Sequence, residues 1–453
     1  MAKGLAVRVL KVMSVPFQTE KRFPFMLRLK IQAIAVFTLS VWISCGIAGP
    51  SLALGAQDIE FDNGDPANDA TVLGPLGTGT LKDLPINPIQ IELLDLAFEA
   101  PSLMPRNPHI KNRCRAQEQV VGCALELGQP SRAIRYTIEI DNWRRALAYT
   151  DFLEYAIKHG APELAPEYLR RAMLVSEGAE DWRLERILAG IARVQLMLGD
   201  IEQSQETGEG LTGSDRGAIN SVASGPDDAK AYARQLALVD AAIEAADFEL
   251  IRSSVKGITE FYENTYSDLD RRTEIEGRIQ QVVGLKLPEP VKVEVLVGMG
   301  EAAAANGDLQ KTGQFADQAF EITQAIGYRA EILVPMLGDV GRITALAGNK
   351  VAAEERLAAG LEAYEQGKPT IMGIFRTEAL EPVARGYMAV GDRSTAEEVY
   401  LSALNEAIDN PNSRPRAEDF SALCCSMAVS GFEPDSDLME RLRTICRELG
   451  DPW

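Results

Sequence analysis

From residue 87 onward, apolar side chains recur every three or four positions, which is the spacing of one face of an α-helix. Short breaks that contain Gly, Asp or Pro interrupt this pattern about every fifteen to twenty residues. The alternation that is typical of β-strands and the sequences of tight β-hairpins are scarce. The pattern therefore predicts an all-α protein in which helix-turn-helix units fill residues 88–453.

Four of these breaks align with one another, and each contains a glycine followed by Asp or Asn: Gly199-Asp200, Gly307-Asp308, Gly348-Asn349 and Gly391-Asp392. A leucine stands eleven residues before every glycine: Leu188, Leu296, Leu337 and Leu380. Small residues stand seven before it and five after it. We interpret the glycine as a left-handed cap of a first helix, the next residue as the start of a second helix, and the small residues as the place where the two backbones approach. An imperfect fifth unit contains Phe420, Leu423, Cys424 and Gly431, and weaker hairpins are indicated around Gly128, Gly160 and Ala246.

These units resemble the tetratricopeptide repeat. The best match comprises Leu380, Val383, Ala384, Tyr387, Gly391, Asp392, Ala396, Tyr400, Ala403 and Leu404. The resemblance implies an α-solenoid whose first helices line a concave wall that binds a peptide or a partner helix. Successive glycines from Gly307 to Gly391 lie 41 and 43 residues apart, whereas that family repeats at about 34 residues. Longer helices or loops, or a HEAT-like variant, remain open as explanations.

The resemblance also places the residue six before each turn glycine on the concave wall. These residues are Arg193, Glu301, Arg342 and Arg385. The three arginines could bind the carboxylates of an extended peptide through paired hydrogen bonds. Alternatively, each arginine pairs with an Asp or Glu on the adjacent helix. The sequence leaves both interpretations open.

Residues 1–56 have a different character, because seven basic residues and one acidic residue precede an uncharged run from Ile31 to Ile43. Small residues follow this run. The order is that of a secretory signal peptide, with a start at Met26 and cleavage after Ala53 or Gly55 as options. The sequence thus predicts export to the periplasm or the cell exterior. Two alternatives are a lipoprotein that is acylated at Cys45 and an uncleaved N-terminal anchor.

Residues 57–87 are rich in Gly, Pro and Asp and predict a flexible leader between the signal segment and the helices. The chain has a formal charge of −20, which argues against binding to nucleic acid or to an anionic membrane surface. Membrane contact is expected only through a lipid or an N-terminal anchor. The acidic surface either deters nonspecific contact or favours a basic partner.

The cysteines and histidines limit which disulfides and metal sites the chain can form. In an oxidising compartment, Cys114 with Cys123, and Cys424 or Cys425 with Cys446, are candidates for disulfides. The alternative is that all five are small buried apolar residues. No cysteine pair has zinc-site spacing, and the chain has only two histidines, so we expect no metal site and no cofactor.

The sequence carries no nucleophile elbow, phosphate loop or zinc-protease motif. These features together predict an exported, non-enzymatic helical-repeat scaffold that binds a protein or peptide. One alternative is a structural or assembly subunit, or a lipoprotein, of an envelope complex. Another is a carbohydrate-active enzyme built from paired helices, which would need two opposed carboxylates.

Overall fold

The computed structural model describes residues 81–453 apart from 212–214, 216–218, 220–228, 246–247 and 326. The predicted signal segment, Cys45, most of the predicted leader and the predicted break at Ala246 lie outside these residues. Within the described residues the chain forms eighteen α-helices and no β-strand. The all-α prediction is confirmed.

The helices are α1 (Pro88–Ser102), α2 (Arg106–Glu126), α3 (Pro130–Ile138), α4 (Arg144–Lys158), α5 (Ala165–Ser176), α6 (Asp181–Met197), α7 (Ile201–Thr207), α8 (Ala229–Ala245), α9 (Phe248–Asn264), α10 (Leu269–Gly284), α11 (Glu289–Ala305), α12 (Leu309–Gln324), α13 (Ala330–Leu346), α14 (Lys350–Gly367), α15 (Arg376–Val390), α16 (Arg393–Ile408), α17 (Ser413–Ser430) and α18 (Ser436–Arg447).

The turn glycines have the backbone conformation that the sequence predicts. Their φ angles lie between +65° and +90° at Gly128, Gly160, Gly199, Gly307, Gly348, Gly391 and Gly431. Only glycine adopts this region without strain, so each one ends a helix and turns the chain back. At three turns the next side chain caps the second helix, because Asp308, Asn349 and Asp392 accept hydrogen bonds from backbone amides three residues later at 2.9, 3.3 and 3.1 Å.

The predicted core positions are also confirmed in these hairpins. Leu296, Leu337 and Leu380 are buried, while Leu188 is half-buried against a smaller apolar cluster. The backbones approach closely where small residues were expected, since the Ser204 hydroxyl donates to the carbonyl oxygen of Ala192 at 2.8 Å. The helices from α12 to α15 have 15 to 18 residues, and with the connections at 325–329 and 368–375 they produce the long repeat spacing.

Helices from the two ends of the sequence pack against each other, which the sequence pattern did not indicate. The Ser421 hydroxyl of α17 donates to the carbonyl oxygen of Ala97 in α1 at 2.7 Å, and both groups are buried. The Gln90 side-chain amide donates to the carbonyl oxygen of Ala428 at 2.8 Å. Side chains of α1, α17 and α18 belong to one continuous apolar core. The hairpin array therefore continues from the C-terminal helices directly into the N-terminal ones.

The last residues of the predicted flexible leader are fixed to the α2–α3 turn. The Leu84 amide donates to the carbonyl oxygen of Gly128 at 2.8 Å, and the Gln129 side chain donates to the carbonyl oxygen of Leu84 at 2.6 Å. Residues 81–87 thus extend the packed part of the chain beyond the helices. No helix in the described ranges has the length and apolar character needed to cross a bilayer.

Candidate binding surface on the first helices

The first helices of successive hairpins pack side by side in the order α9, α11, α13, α15, α17, α2, α4 and α6. On such helices, residues six, nine or ten, and thirteen before the turn glycine share one face. Charged residues occupy most of these positions. We call this row the first-helix face: Arg115, Glu118, Asp151, Glu154, Arg186, Arg193, Glu294, Glu301, Asp339, Arg342, Glu378, Glu381, Arg385 and Glu418.

The three arginines predicted as ligands all have acidic partners. Arg193 of α6 lies 2.8 Å from a carboxylate oxygen of Glu154 in α4. Arg342 of α13 is in direct contact with Glu301 of α11. Arg193 and Arg342 therefore pair across adjacent first helices, as the second interpretation of the sequence predicts. Arg385 instead lies 3.8 Å from Glu381, one turn earlier in its own helix α15.

Ion pairs of the same kind continue along the row. Arg115 of α2 lies 2.7 Å from Glu418 of α17, at the junction between the N-terminal and C-terminal helices. Arg144 of α4 contacts Glu118 of α2. These four side chains are only 9 to 19% exposed, so the attraction within each pair is offset by the cost of removing both charges from water. The pairs therefore order the charged side chains more than they stabilise the fold.

The carboxylates are the more exposed partners between α11 and α13. The side chain of Glu301 is 43% exposed and that of Asp339 is 41% exposed, whereas that of Arg342 is 16% exposed. Protein surrounds Asp339 on its other sides, and this loss of solvation raises its pKa to about 6 against the attraction of Arg342. A ligand that approaches this part of the surface therefore meets carboxylate oxygens first.

A second group of carboxyls lies between α15 and α17. Burial raises the pKa of Glu378 to about 7, with repulsion from Glu381 adding to the shift and Arg115 opposing it. Burial likewise raises the pKa of Asp419 well above its usual range, and Glu418 and Glu378 add to that shift. The group therefore carries more acids than the neighbouring arginines neutralise.

Replacing Glu378 by Gln should make stability less dependent on pH. Because the pKa of Glu378 is raised in the folded state, its favourable contribution is full below about pH 4.5 and is lost as the pH rises through about 7. At pH 8 we expect the free energy of unfolding of Glu378→Gln to be about 1 to 2 kcal/mol higher than that of the wild type, which raises the melting temperature by a few degrees. At pH 5 the two proteins should melt together. Thermal unfolding followed by circular dichroism at both pH values measures this difference.

The control Glu99→Gln, at an exposed position, should change the melting temperature at neither pH. An equal gain in stability of Glu378→Gln at both pH values would contradict the raised pKa of Glu378.

The cysteine positions correct one predicted disulfide. Cys114 and Cys123 lie nine residues apart in the continuous helix α2, so their Cα atoms are separated by about 13 Å. A disulfide requires less than about 7 Å. The pairing of Cys114 with Cys123 is therefore wrong. All five described cysteines are free thiols, and Cys114, Cys424 and Cys446 are buried in the apolar core, as the alternative interpretation predicts.

The remaining candidates for a metal site or a catalytic group among the described residues are few. No group of three or more His, Cys, Asp or Glu side chains among them is arranged to hold a metal ion. His159 caps the C-terminus of α4, where its Nδ1 atom lies 2.8 Å from the carbonyl oxygen of Tyr155. This position suits the interaction of an imidazole with a helix terminus.

No family model matches this chain, and no curated protein matches it. Among solved structures, one described as "Circular tandem repeat protein with novel repeat topology and enhanced subunit contact surfaces" is similar to it with 17% sequence identity and a TM-score of 0.19. The match covers 80% of this chain and 95% of that one. The assignment of an all-α helical-repeat fold rests on the helices, turns and packing described above.

Proposed function

We propose that this chain is an exported, non-enzymatic scaffold that binds a cationic segment of a partner protein along the first-helix face. The observation that carries the proposal is the exposure of Glu301 and Asp339 beside the more buried Arg342. Arg342 holds its donors toward these acids, while the remaining carboxylate lone pairs stay available to lysine or arginine side chains. The net charge of −20 favours approach of the same class of partner.

An anionic peptide is the weaker candidate on this surface. To bind Arg193 or Arg342, its carboxylates would have to displace Glu154 or Glu301 from existing ion pairs. Such an exchange replaces one ion pair by another of similar strength and leaves a protein carboxylate without its partner. A cationic ligand adds contacts without breaking these pairs.

The relationship to tetratricopeptide repeats and the export of the chain are parts of the same proposal. The left-handed turn glycines and the close approach at Ser204 support the repeat relationship. The basic, apolar and small-residue zones of residues 1–56 support export, with acylation at Cys45 or an uncleaved anchor as alternatives. A role as a structural subunit of an envelope complex is the main competing function.

The test compares two fluorescent peptides of equal length, one rich in Lys and Arg and one rich in Glu and Asp. At pH 8 and low salt we expect saturable binding of the cationic peptide only, with affinity that falls as salt rises. Glu301→Gln combined with Asp339→Asn should weaken that binding about tenfold, equivalent to about 1.4 kcal/mol. Replacing Arg342 by Glu is a poorer test, because it would leave Glu301 and Asp339 unpaired and lower stability.

The matched control combines Glu354→Gln with Glu355→Gln, which makes the same charge change at exposed positions of the second helix α14. It should leave the affinity within about twofold, well under 1 kcal/mol. Equal weakening by both double variants would show diffuse charge attraction and contradict a site on the first-helix face. Failure to bind either peptide would favour the assembly-subunit alternative.

A further inference from the structure

Two cysteines from opposite ends of the sequence meet where the N-terminal and C-terminal helices join. Cys123 lies in α2 and Cys425 lies in α17, and these helices pack directly against each other. The Cys123 thiol, through a side-chain hydrogen bond, raises the pKa of the Cys425 thiol more than any other neighbouring group does, and burial adds to that shift. This contact differs from both disulfides that the sequence suggested.

Polar contacts between the same two helices, which do not involve the cysteines, also show how α2 and α17 are aligned along their length. Glu418 of α17 lies 2.7 Å from Arg115 and accepts a hydrogen bond from Asn112 at 2.6 Å. Cys425 follows Glu418 by seven residues, and Cys123 follows Arg115 by eight. Both intervals are close to two helical turns. Both α2 and α17 run antiparallel to α1, so they run in the same direction as each other. The two cysteines are therefore at the same level of the packed helix pair.

The two thiols differ in accessibility. Cys425 is 6% exposed, whereas Cys123 is half-buried and reaches the surface. Cys114 and Cys424 are completely buried. An oxidant can therefore reach Cys123 first. Cys425 is buried beside it and can react only with a group that is already bound to Cys123. This arrangement suits a two-step thiol–disulfide exchange.

We propose that Cys123 and Cys425 form a disulfide that covalently joins the first and last hairpins. The oxidant is a small-molecule or protein disulfide. The Cys123 thiolate attacks one sulfur of the donor, which forms a mixed disulfide and releases one donor thiolate. The donor thiolate released in this step takes the proton of Cys425, whose sulfur attacks the Cys123 sulfur and displaces the second donor thiolate. The donor gains two electrons and takes up the two protons from the cysteines, and the chain gains one sulfur–sulfur bond.

This bond would close a loop of about three hundred residues. Such a cross-link restricts the unfolded chain and holds α2 against α17. We expect the oxidised protein to melt at a higher temperature than the reduced protein. The effect is independent of the cationic partner proposed above, because it requires only the contact between α2 and α17.

The test treats the purified full-length chain with oxidised glutathione, blocks remaining thiols by alkylation, and maps tryptic peptides by mass spectrometry without reduction. We expect a linked pair formed by residues 116–132 and 417–441, which contain Cys123 and Cys425. Cys425→Ser should abolish the link, and Cys424→Ser, which removes the adjacent thiol from the same peptide, should retain it. The rise in melting temperature on oxidation should disappear in Cys123→Ser, whose substituted side chain is only half-buried.

Alkylated Cys123 in the oxidised protein would overturn the proposal. So would a link that persists in Cys425→Ser, or a link from residues 417–441 only to the peptide that contains Cys446. A linked pair found only in covalent dimers would also overturn it, because the contact in the structure is within one chain.

Discussion

Replacing Gly338 by alanine should destabilise the protein, although alanine is the better helix former. A Cβ atom at residue 338 of α13 would lie 2.6 Å from the backbone carbonyl carbon of Pro382 and 2.7 Å from the backbone nitrogen of Val383 in α15. Backbone atoms cannot rotate away as a flexible side chain can, so the two helices would have to separate. We expect a loss of about 2 to 3 kcal/mol, measured as a melting temperature several degrees lower.

Gly277→Ala in α10 is the matched control. A Cβ atom there would have no neighbour within 4 Å. The same substitution should stabilise that helix by about 1 kcal/mol, because alanine loses less backbone entropy than glycine. Opposite signs for the two variants would confirm the close crossing of α13 and α15. A stabilising effect at both positions would contradict that crossing.

Replacing Ala97 by glutamate should have the second large effect, because it places a carboxylate between α1 and α17. Ala97 is completely buried, and its carbonyl oxygen accepts the hydrogen bond from Ser421. Burying a charge without a partner, or forcing the helices apart to hydrate it, costs more than about 3 kcal/mol. Thermal and urea unfolding measure the loss. Glu99→Gln, at an exposed position of the same helix, should leave both transitions unchanged.

The hairpins were predictable because their requirements are local. A glycine at Gly307 or Gly391 permits the left-handed turn, and the leucine eleven residues earlier packs inside the same hairpin. The small residue after each turn, such as Ala353, lies in the core for the same reason. All these relations fall within about twenty residues, so a repeated pattern reveals them.

The junction between α1 and α17 was not predictable in this way. Ser421 and Ala97 lie 324 positions apart, and neither position carries a distinctive residue type. The pairing of Cys123 with Cys425 depends on the same junction. Periodicity identifies which face of each helix is apolar, but it does not identify which distant helix covers that face.

The candidate surface was predictable in part. Sequence spacing placed Arg193, Arg342 and Arg385 at equivalent positions, but it did not indicate which partner of each ion pair is exposed. Glu378 was missed because only the residue six before each turn was considered. The positions nine, ten and thirteen before the turn lie on the same helix face, so the sequence held a signal that extends the row to Glu378.

Hydrogen–deuterium exchange on Ala97→Glu tests most directly whether the array continues from its last hairpin into its first helix. Amides of α17 and α18 should exchange much faster than in the wild type, although they lie more than 300 residues from the substitution, while α11 and α12 should keep their protection. Faster exchange confined to α1, α2 and α3, with α17 as protected as in the wild type, would show that the two ends of the chain do not support each other.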